Sequence, residues 1–220
     1  MSGKLYIVAT PIGNLGDITF RAVEVLRDVD FVIAEDSRVS LKLLNHFEIK
    51  KPVVTFHERS RPEDLPRIIN RITSGESAAL VTDAGTPGVS DPGGRIIEVV
   101  AKEGIEIVPV PGASAVSAIM SVYDRRSEGF SFLGYFPKKG KTKFINYIRG
   151  SVFPIVYLDS PYRVVKNLTQ IQAEVGDRYV VVGRELTKKF ETIYRGQISE
   201  VVTQIKPKGE FVVMLGVEND

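Results

Sequence analysis

Asp83 and Asp91 stand inside a ten-residue run, TDAGTPGVSD at 82–91, together with Thr82, Thr86, Ser90, two glycines and a proline. Backbone bent this sharply leaves the ladder pairing of strands and helices, so its carbonyls and amides face outward, while short polar side chains hydrogen-bond locally. Beside two carboxylates, such a run can cradle a ligand and accept a proton from it. Three further runs share the character: TPIGNLGD at 10–17, EDSR at 35–38 and PGASA at 111–115. Any one of them alone reads as an ordinary surface turn.

The elements that would position these runs are legible as short apolar stretches. Residues 5–9, 31–34, 53–56, 78–82 and 105–110 read as buried strands, because parallel strands covered on both faces appear as continuous apolar runs. Helical spacing fills the gaps. Phe20, Val23 and Leu26 recur on one face; Pro62 or Glu63 opens a helix through Ile68, Ile69 and Ile72; Asp91 caps a helix that Pro92 begins and Gly104 stops. Strands alternating with helices predict a parallel α/β sheet. In such sheets ligands bind outside the carboxyl ends of the strands, and all four unusual runs fall at strand exits.

A polar stretch, YDRRSEG at 123–129, interrupts the pattern and predicts two domains: a parallel α/β domain over 1–122 and a second α/β domain with a mixed sheet over 123–220. In the second, strands are expected at 130–136, 155–158, 179–182, 190–194 and 211–217, with helices near 142–149, 164–174 and 199–205.

Composition narrows the functional classes. The chain has 220 residues, 43% apolar and 25% charged, with a net charge of +2. It has no cysteine, which removes thiolate metal sites, disulfides and cysteine nucleophiles and points to a reducing, cytoplasmic compartment. His46 and His57 have no second ligand at metal spacing, so no metal is expected. The apolar run at 5–9 is too short for a membrane span, so no membrane partner is expected either. No G-x-G-x-x-G follows the first strand, and GYFPKKGKT at 134–142 has one residue too many between Gly134 and Gly140 for a phosphate loop.

Taken in order, VATPIGNLGDIT, AEDSR, VTDAGTPGVSDPG, PVPGASA, RELTK and KGEFVV resemble the ribosomal small-subunit (16S) rRNA cytidine-2′-O-methyltransferase branch of the tetrapyrrole (corrin/porphyrin) methylase superfamily over nearly the whole chain. The resemblance implies two α/β domains, commonly in a homodimer, holding S-adenosylmethionine in the interdomain cleft. By resemblance the cofactor is lined by Pro11, Ile12, Asp83, Ala84, Gly85, Thr86, Ser114, Ala115, Leu158, Arg184, Glu185, Leu186, Gly209 and Glu210. Departures from the pattern are Ser37 where a Thr is usual, DSPYR at 159–163 in place of Glu-Ala-Pro-His-Arg, and a missing Ser-Gly-Leu-Pro stretch before the second domain. The chain also stops soon after GEFVVMLG, where many relatives add a helical extension.

A ribose hydroxyl becomes a useful nucleophile once its proton is accepted or its oxygen is held in line. Asp36, Asp83, Glu185 and Lys188 are the candidates for that work. Adjacent strand residues point to opposite faces, so one of Glu35 and Asp36 reaches a shared site, and Asp36 is favoured, with Lys188 as its catalytic companion. Arg38 and Lys188 are also positioned to hold RNA phosphate.

Residues 125–149 carry seven Arg or Lys against one Glu, a local +6 that leaves the remainder at −4. Lys138, Lys139, Lys141 and Lys143, beside Phe136, Phe144 and Tyr147, are expected to bind RNA phosphate with stacking, and Arg59, Arg61 and Arg67 offer an alternative path. The substrate expected is 16S rRNA in the small ribosomal subunit. Two other readings stay open: a small-molecule tetrapyrrole methylase, and a non-catalytic RNA-binding assembly factor.

Overall fold

A computed structural model describes residues 2–57, 60–91 and 93–217. By internal contacts the chain divides into two units, Met1–Ser114 and Ala115–Asp220. The division falls at 114/115, ahead of the polar stretch at 123–129, because the helix at Ala115–Ser121 packs on strands of the second unit.

Among the described residues the first unit holds five strands, β1 Leu5–Val8, β2 Phe31–Ala34, β3 Val53–Thr55, β4 Ala78–Val81 and β5 Ile107–Val110. They lie in the order β3-β2-β4-β1-β5, and every pair is parallel. Successive side chains leave opposite faces, and this period divides the core in two. Leu5, Ile7, Phe31, Ile33, Ala78 and Leu80 join one cluster with α3 (Asp64–Thr73) and α4 (Gly94–Lys102). Val8, Val32, Ala34, Ala79 and Val81 join the other with α1 (Phe20–Asp28) and α2 (Ser37–His46). Neighbouring strands β1 and β4 therefore send their chains to opposite faces, the kind of switch point beside which ligands of open α/β sheets bind.

Local departures from expectation have local causes. Phe20 is 91% exposed although Val23 and Leu26 are buried. At about 100° per residue it sits roughly 120° from Leu26, off the stripe that Ala22, Val23 and Leu26 bury. Asp91 does not cap α4. Its Oδ1 accepts from the amides of Gly88 and Gly93, so it ties the loop before the helix, whose N-cap is Gly93. Pro92 lies outside the described residues.

The second unit holds β6 Ser131–Tyr135, β7 Ile155–Asp159, β8 Tyr179–Arg184, β9 Thr192–Gln197 and β10 Phe211–Leu215, in the order β6-β7-β10-β8-β9. β6 and β7 are parallel and the other pairs antiparallel, a mixed sheet as expected. The ninth strand begins after Phe190, which is 65% exposed and belongs to the preceding loop. α6 (Lys141–Gly150), α7 (Val164–Val175) and α8 (Ile198–Gln204) bury Ile148, Leu168, Ile171 and Val201 against Tyr157, Val180, Val182 and Val213. α5 (Ala115–Ser121) packs on β8 and β10.

Candidate functional site

In the first unit, the exits of β1 and β4 are joined by an isolated antiparallel bridge between Thr10 and Gly85. Thr10 also donates its hydroxyl to the Thr82 carbonyl at 3.0 Å, which anchors both ends of the turn. Gly85 has φ +85°, a conformation that side chains with a Cβ enter only at a cost. A Cβ there would lie 3.5 Å from Ile12 Cγ2 and 3.8 Å from the Ala113 carbonyl oxygen. The exits of β1, β4 and β5 therefore meet around one glycine. Pro11 is buried behind this point, Ile12 and Thr86 are half-buried, and Asp83 and Ala84 are exposed. Ser114 ends this unit; Ala115 opens α5 in the other.

Two carboxylates frame the β2 exit. Glu35 accepts from the Thr82 hydroxyl at 3.2 Å. Asp36 caps α2 by accepting from the Arg38 amide at 2.9 Å, and the Arg38 guanidinium grips it at 2.6 and 3.0 Å. Those bonds hold the Asp36 carboxyl down to about 2, so it is a weak proton acceptor. Arg38, assigned above to RNA phosphate, is engaged with Asp36, although its side chain is 86% exposed. The Asp36 amide donates to Asp83 Oδ1 at 3.2 Å. Although the residue is exposed, desolvation on the side of its carboxyl that faces the loop raises it above the usual 3.8 despite that bond. Behind the loop, Glu35, Phe56, Thr82, Pro87, Asp91 and Ile96 line a cavity of about 10 Å³, the size of one water and too small for a cofactor.

In the second unit the RELTK run leaves β8 as a strained turn. Glu185 and Thr187 have φ of 51° and 65°, uncommon for residues other than glycine and concentrated at functional sites. Lys188 Nζ donates to Glu185 Oε1 at 3.0 Å and Glu210 Oε2 at 2.8 Å. Glu185 Oε1 also takes the Glu210 amide at 2.9 Å. Partial burial pulls the Lys188 ammonium down, but its hydrogen bonds to Glu210 and Glu185 outweigh it and leave the pKa above 10.5. Burial pushes Glu185 up, yet the Glu210 amide and Lys188 bring it below 4.5. Lys188 is thus a fixed cation and Glu185 its counter-ion. Gly209, φ +93°, is needed because a Cβ would lie 2.5 Å from Glu185 Cδ. Arg184 is buried and donates to the carbonyls of Lys208 and Phe190, and Leu186 is buried beside it. Leu158 lies on β7 opposite Val212, half-buried.

Two residues escaped the sequence reading. Thr10 ties the β1 exit to Thr82 and Gly85, and its signal was a hydroxyl directly before Pro11 at a strand end. Thr187, inside the RELTK run but given no role there, has a buried hydroxyl without a hydrogen-bond partner among the described residues.

The basic segment is less uniform than its composition. Lys138, Lys139 and Lys143 are exposed. Lys141 is not part of that face: its Nζ donates to Asn167 Oδ1 at 3.0 Å and Gln170 Oε1 at 3.2 Å. Phe136 and Phe144 pack in and against the core, which removes them as stacking platforms, while Tyr147 is half-exposed and donates to Ser131 Oγ. Arg59 lies outside the described residues; Arg61 pairs with Glu63 and Asp64. Among the described residues no group of three His, Asp or Glu gathers as a metal site, and no helix is long and apolar enough to cross a membrane.

A family model described as tetrapyrrole (corrin/porphyrin) methylases matches residues 4–202. A Thermotoga maritima protein named ribosomal RNA small subunit methyltransferase I is 40% identical over 217 residues, 97% of this chain and 98% of its own length. Its namesake in Halalkalibacterium halodurans is 38% identical over 97% of this chain and 75% of its own length. Among solved structures, a diphthine synthase superposes with a TM-score of 0.73 at 18% identity, covering 97% of this chain and 90% of that one. A Thermus thermophilus uroporphyrin-III C-methyltransferase complexed with S-adenosyl homocysteine has a TM-score of 0.70 at 18% identity, covering 97% of each chain. At that identity the structures speak for the fold.

Proposed function

We propose, proceeding from the fact that this chain belongs to the tetrapyrrole (corrin/porphyrin) methylase family, that it is an S-adenosylmethionine-dependent methyltransferase acting on the 2′-hydroxyl of a cytidine in 16S rRNA of the small ribosomal subunit. The meeting of Ile12, Gly85 and Ala113 at three strand exits carries the reading, because it offers turned backbone, and not a charged wall, to a ligand. The chemistry of the cofactor fits. Its sulfonium supplies an electrophilic methyl group and loses its charge as the methyl leaves, so neutral carbonyls favour transfer better than a carboxylate pressed on sulfur.

In this reading Ala84, Gly85 and Thr86 line the cofactor in the first unit, with Pro11 and Ile12 as the floor and Ser114 beside them. Ala115, Leu158, Arg184 to Leu186, Gly209 and Glu210 are the second unit's contribution. The buried, unpartnered hydroxyl of Thr187 supports a ligand near that turn. Asp36 is gripped by the Arg38 guanidinium, whereas Asp83 stands at the β4 exit two residues before Gly85 and takes the Asp36 amide, so in this reading Asp83 replaces Asp36 as the group that accepts the ribose proton. Lys138, Lys139 and Lys143 hold phosphate, while Lys188, held between Glu185 and Glu210, braces the turn after β8. We place the protein in the cytoplasm as a homodimer, which light scattering at micromolar concentration tests.

The decisive experiment is tritiated-methyl transfer from S-adenosylmethionine, with chelator present, to small ribosomal subunits, naked 16S RNA and a precorrin-like tetrapyrrole in parallel. Label on a cytidine ribose of RNA is expected. Label on the tetrapyrrole alone reverses the substrate assignment, and no cofactor binding at all leaves an assembly factor.

A further inference from the structure

Lys141 opens α6, yet it reaches away from the lysines around it. Its ammonium is held by Asn167 and Gln170 of α7 and lies 5.3 Å from the centre of the Phe136 ring. Asn167 is fully buried, and its amide is used at both ends: Oδ1 accepts from Lys141, and Nδ2 donates to Asp159 Oδ2 at 2.7 Å. Asp159 ends β7, is 3% exposed, and turns its other oxygen to the Ser160 amide at 2.7 Å. The next residue back is Leu158, whose carbonyl accepts from the Phe136 amide at 2.8 Å.

A buried carboxylate is expensive unless charge and hydrogen bonds compensate it. Arg163 lies 3.9 Å away from Asp159, at the edge of ion-pair distance, and Lys141 supplies the second positive charge through the Asn167 amide. A hydrophobic residue at this strand end would have packed without such support. The polar chain instead sets direction, since the Asn167 amide must turn its Oδ1 to Lys141 and its Nδ2 to Asp159.

We propose that Lys141 is a positioning residue that, through Asn167 and Asp159, sets the turn ending β7 and so the place of Leu158 at the cofactor. The basic segment thereby serves two purposes: Lys138, Lys139 and Lys143 face the solvent, and Lys141 braces the cofactor strand. This inference rests on the reading of Leu158 as a cofactor contact.

Calorimetric titration of S-adenosylmethionine into the full chain tests it, with the fitted stoichiometry restricting each affinity to the folded fraction. Lys141→Met is expected to weaken binding about three- to tenfold, the range of effects transmitted through packed networks. Lys141→Arg, which keeps a donor to Asn167, is expected to restore affinity to within about twofold of wild type. Neither variant should change the salt dependence of binding to small subunits. Wild-type cofactor affinity in Lys141→Met overturns the proposal, as does a fall of about 0.7 to 0.9 in the log-log salt slope, the mark of a lost phosphate contact. Should Lys141→Met fail to fold, Lys141→Gln, which stays polar but loses the charge and the reach to Asn167, carries the test with an expected loss of about threefold or more; unchanged affinity there defeats the proposal. Absence of cofactor binding in the wild-type chain defeats the functional reading itself.

Discussion

Thr10 and Gly85 exchange both of their backbone hydrogen bonds, at 2.9 and 3.1 Å, across the exits of β1 and β4. Gly85 can do this only at φ +85°, with Ile12 and Ala113 beside it. Gly85→Val is expected to cost about 1–3 kcal/mol in backbone strain and to lower S-adenosylmethionine affinity at least tenfold in the folded fraction. Gly85→Ala should fall between, since the space for one methyl is of ordinary contact distance. Calorimetry with a thermal melt on each variant checks both, and full affinity in a folded Gly85→Val would reduce Gly85 to a plain turn residue.

Asp36→Asn and Asp83→Asn should separate. Asn still caps α2, so Asp36→Asn loses an exposed ion pair with Arg38 and is expected to keep kcat within about threefold. Asp83→Asn removes the proposed proton acceptor and is expected to lower kcat about 10²-fold or more. A carboxyl with a raised pKa favours folding when protonated, an advantage present below 3.8 and lost as pH rises through its folded value. Asp83→Asn should therefore melt no lower than wild type at neutral pH while turning over more slowly. Equal kcat in both variants rejects Asp83.

The Lys188 cluster makes a pH prediction. Lys188 has a raised pKa, so its contribution to stability is complete below 10.5 and is lost as pH rises through a still higher folded value. Glu185 has a lowered pKa, so its contribution is complete above 4.5 and is lost as pH falls through a lower folded value. The difference in Tm between wild type and Lys188→Met should accordingly stay constant from about pH 6 to 9. A slope within that window would mean that Lys188 titrates there and is no fixed cation.

Replacing Lys138, Lys139 and Lys143 together with Ala should leave cofactor affinity unchanged and flatten the salt dependence of subunit binding by about 2 in log-log slope. Filter binding across a salt series measures it. An unchanged slope with unchanged methylation would make these lysines a solvated face.

Much of the fold could be read in advance because parallel strands buried on both faces announce themselves as apolar runs; β2 at Phe31–Ala34 matches its expectation residue for residue. β9 was harder, since Phe190 has the composition of a strand residue, yet the ladder with β8 begins only at Thr192, opposite Arg184. At the site, the turns around Gly85 were visible because glycine and proline report backbone shape directly. The occupations of charged side chains were not. Nothing in EDSR reveals that Arg38 closes back on Asp36, and nothing in PKKGKTK distinguishes Lys141 from its neighbours. That distinction is made by Asn167 and Gln170, 26 and 29 residues further on.

β10, the last strand of the second sheet in sequence, is its middle strand in space, with β7 on one side and β8 on the other. A chain leaving the ribosome therefore offers β6–β7 and β8–β9 as two separate ribbons, each with a naked inner edge, until residues 211–215 arrive to zip both at once. Removal of those five residues would split the sheet where loss of an outer strand would only narrow it. The continuity of the second sheet thus hangs on one strand that both of its halves share, whatever the order in which the others form.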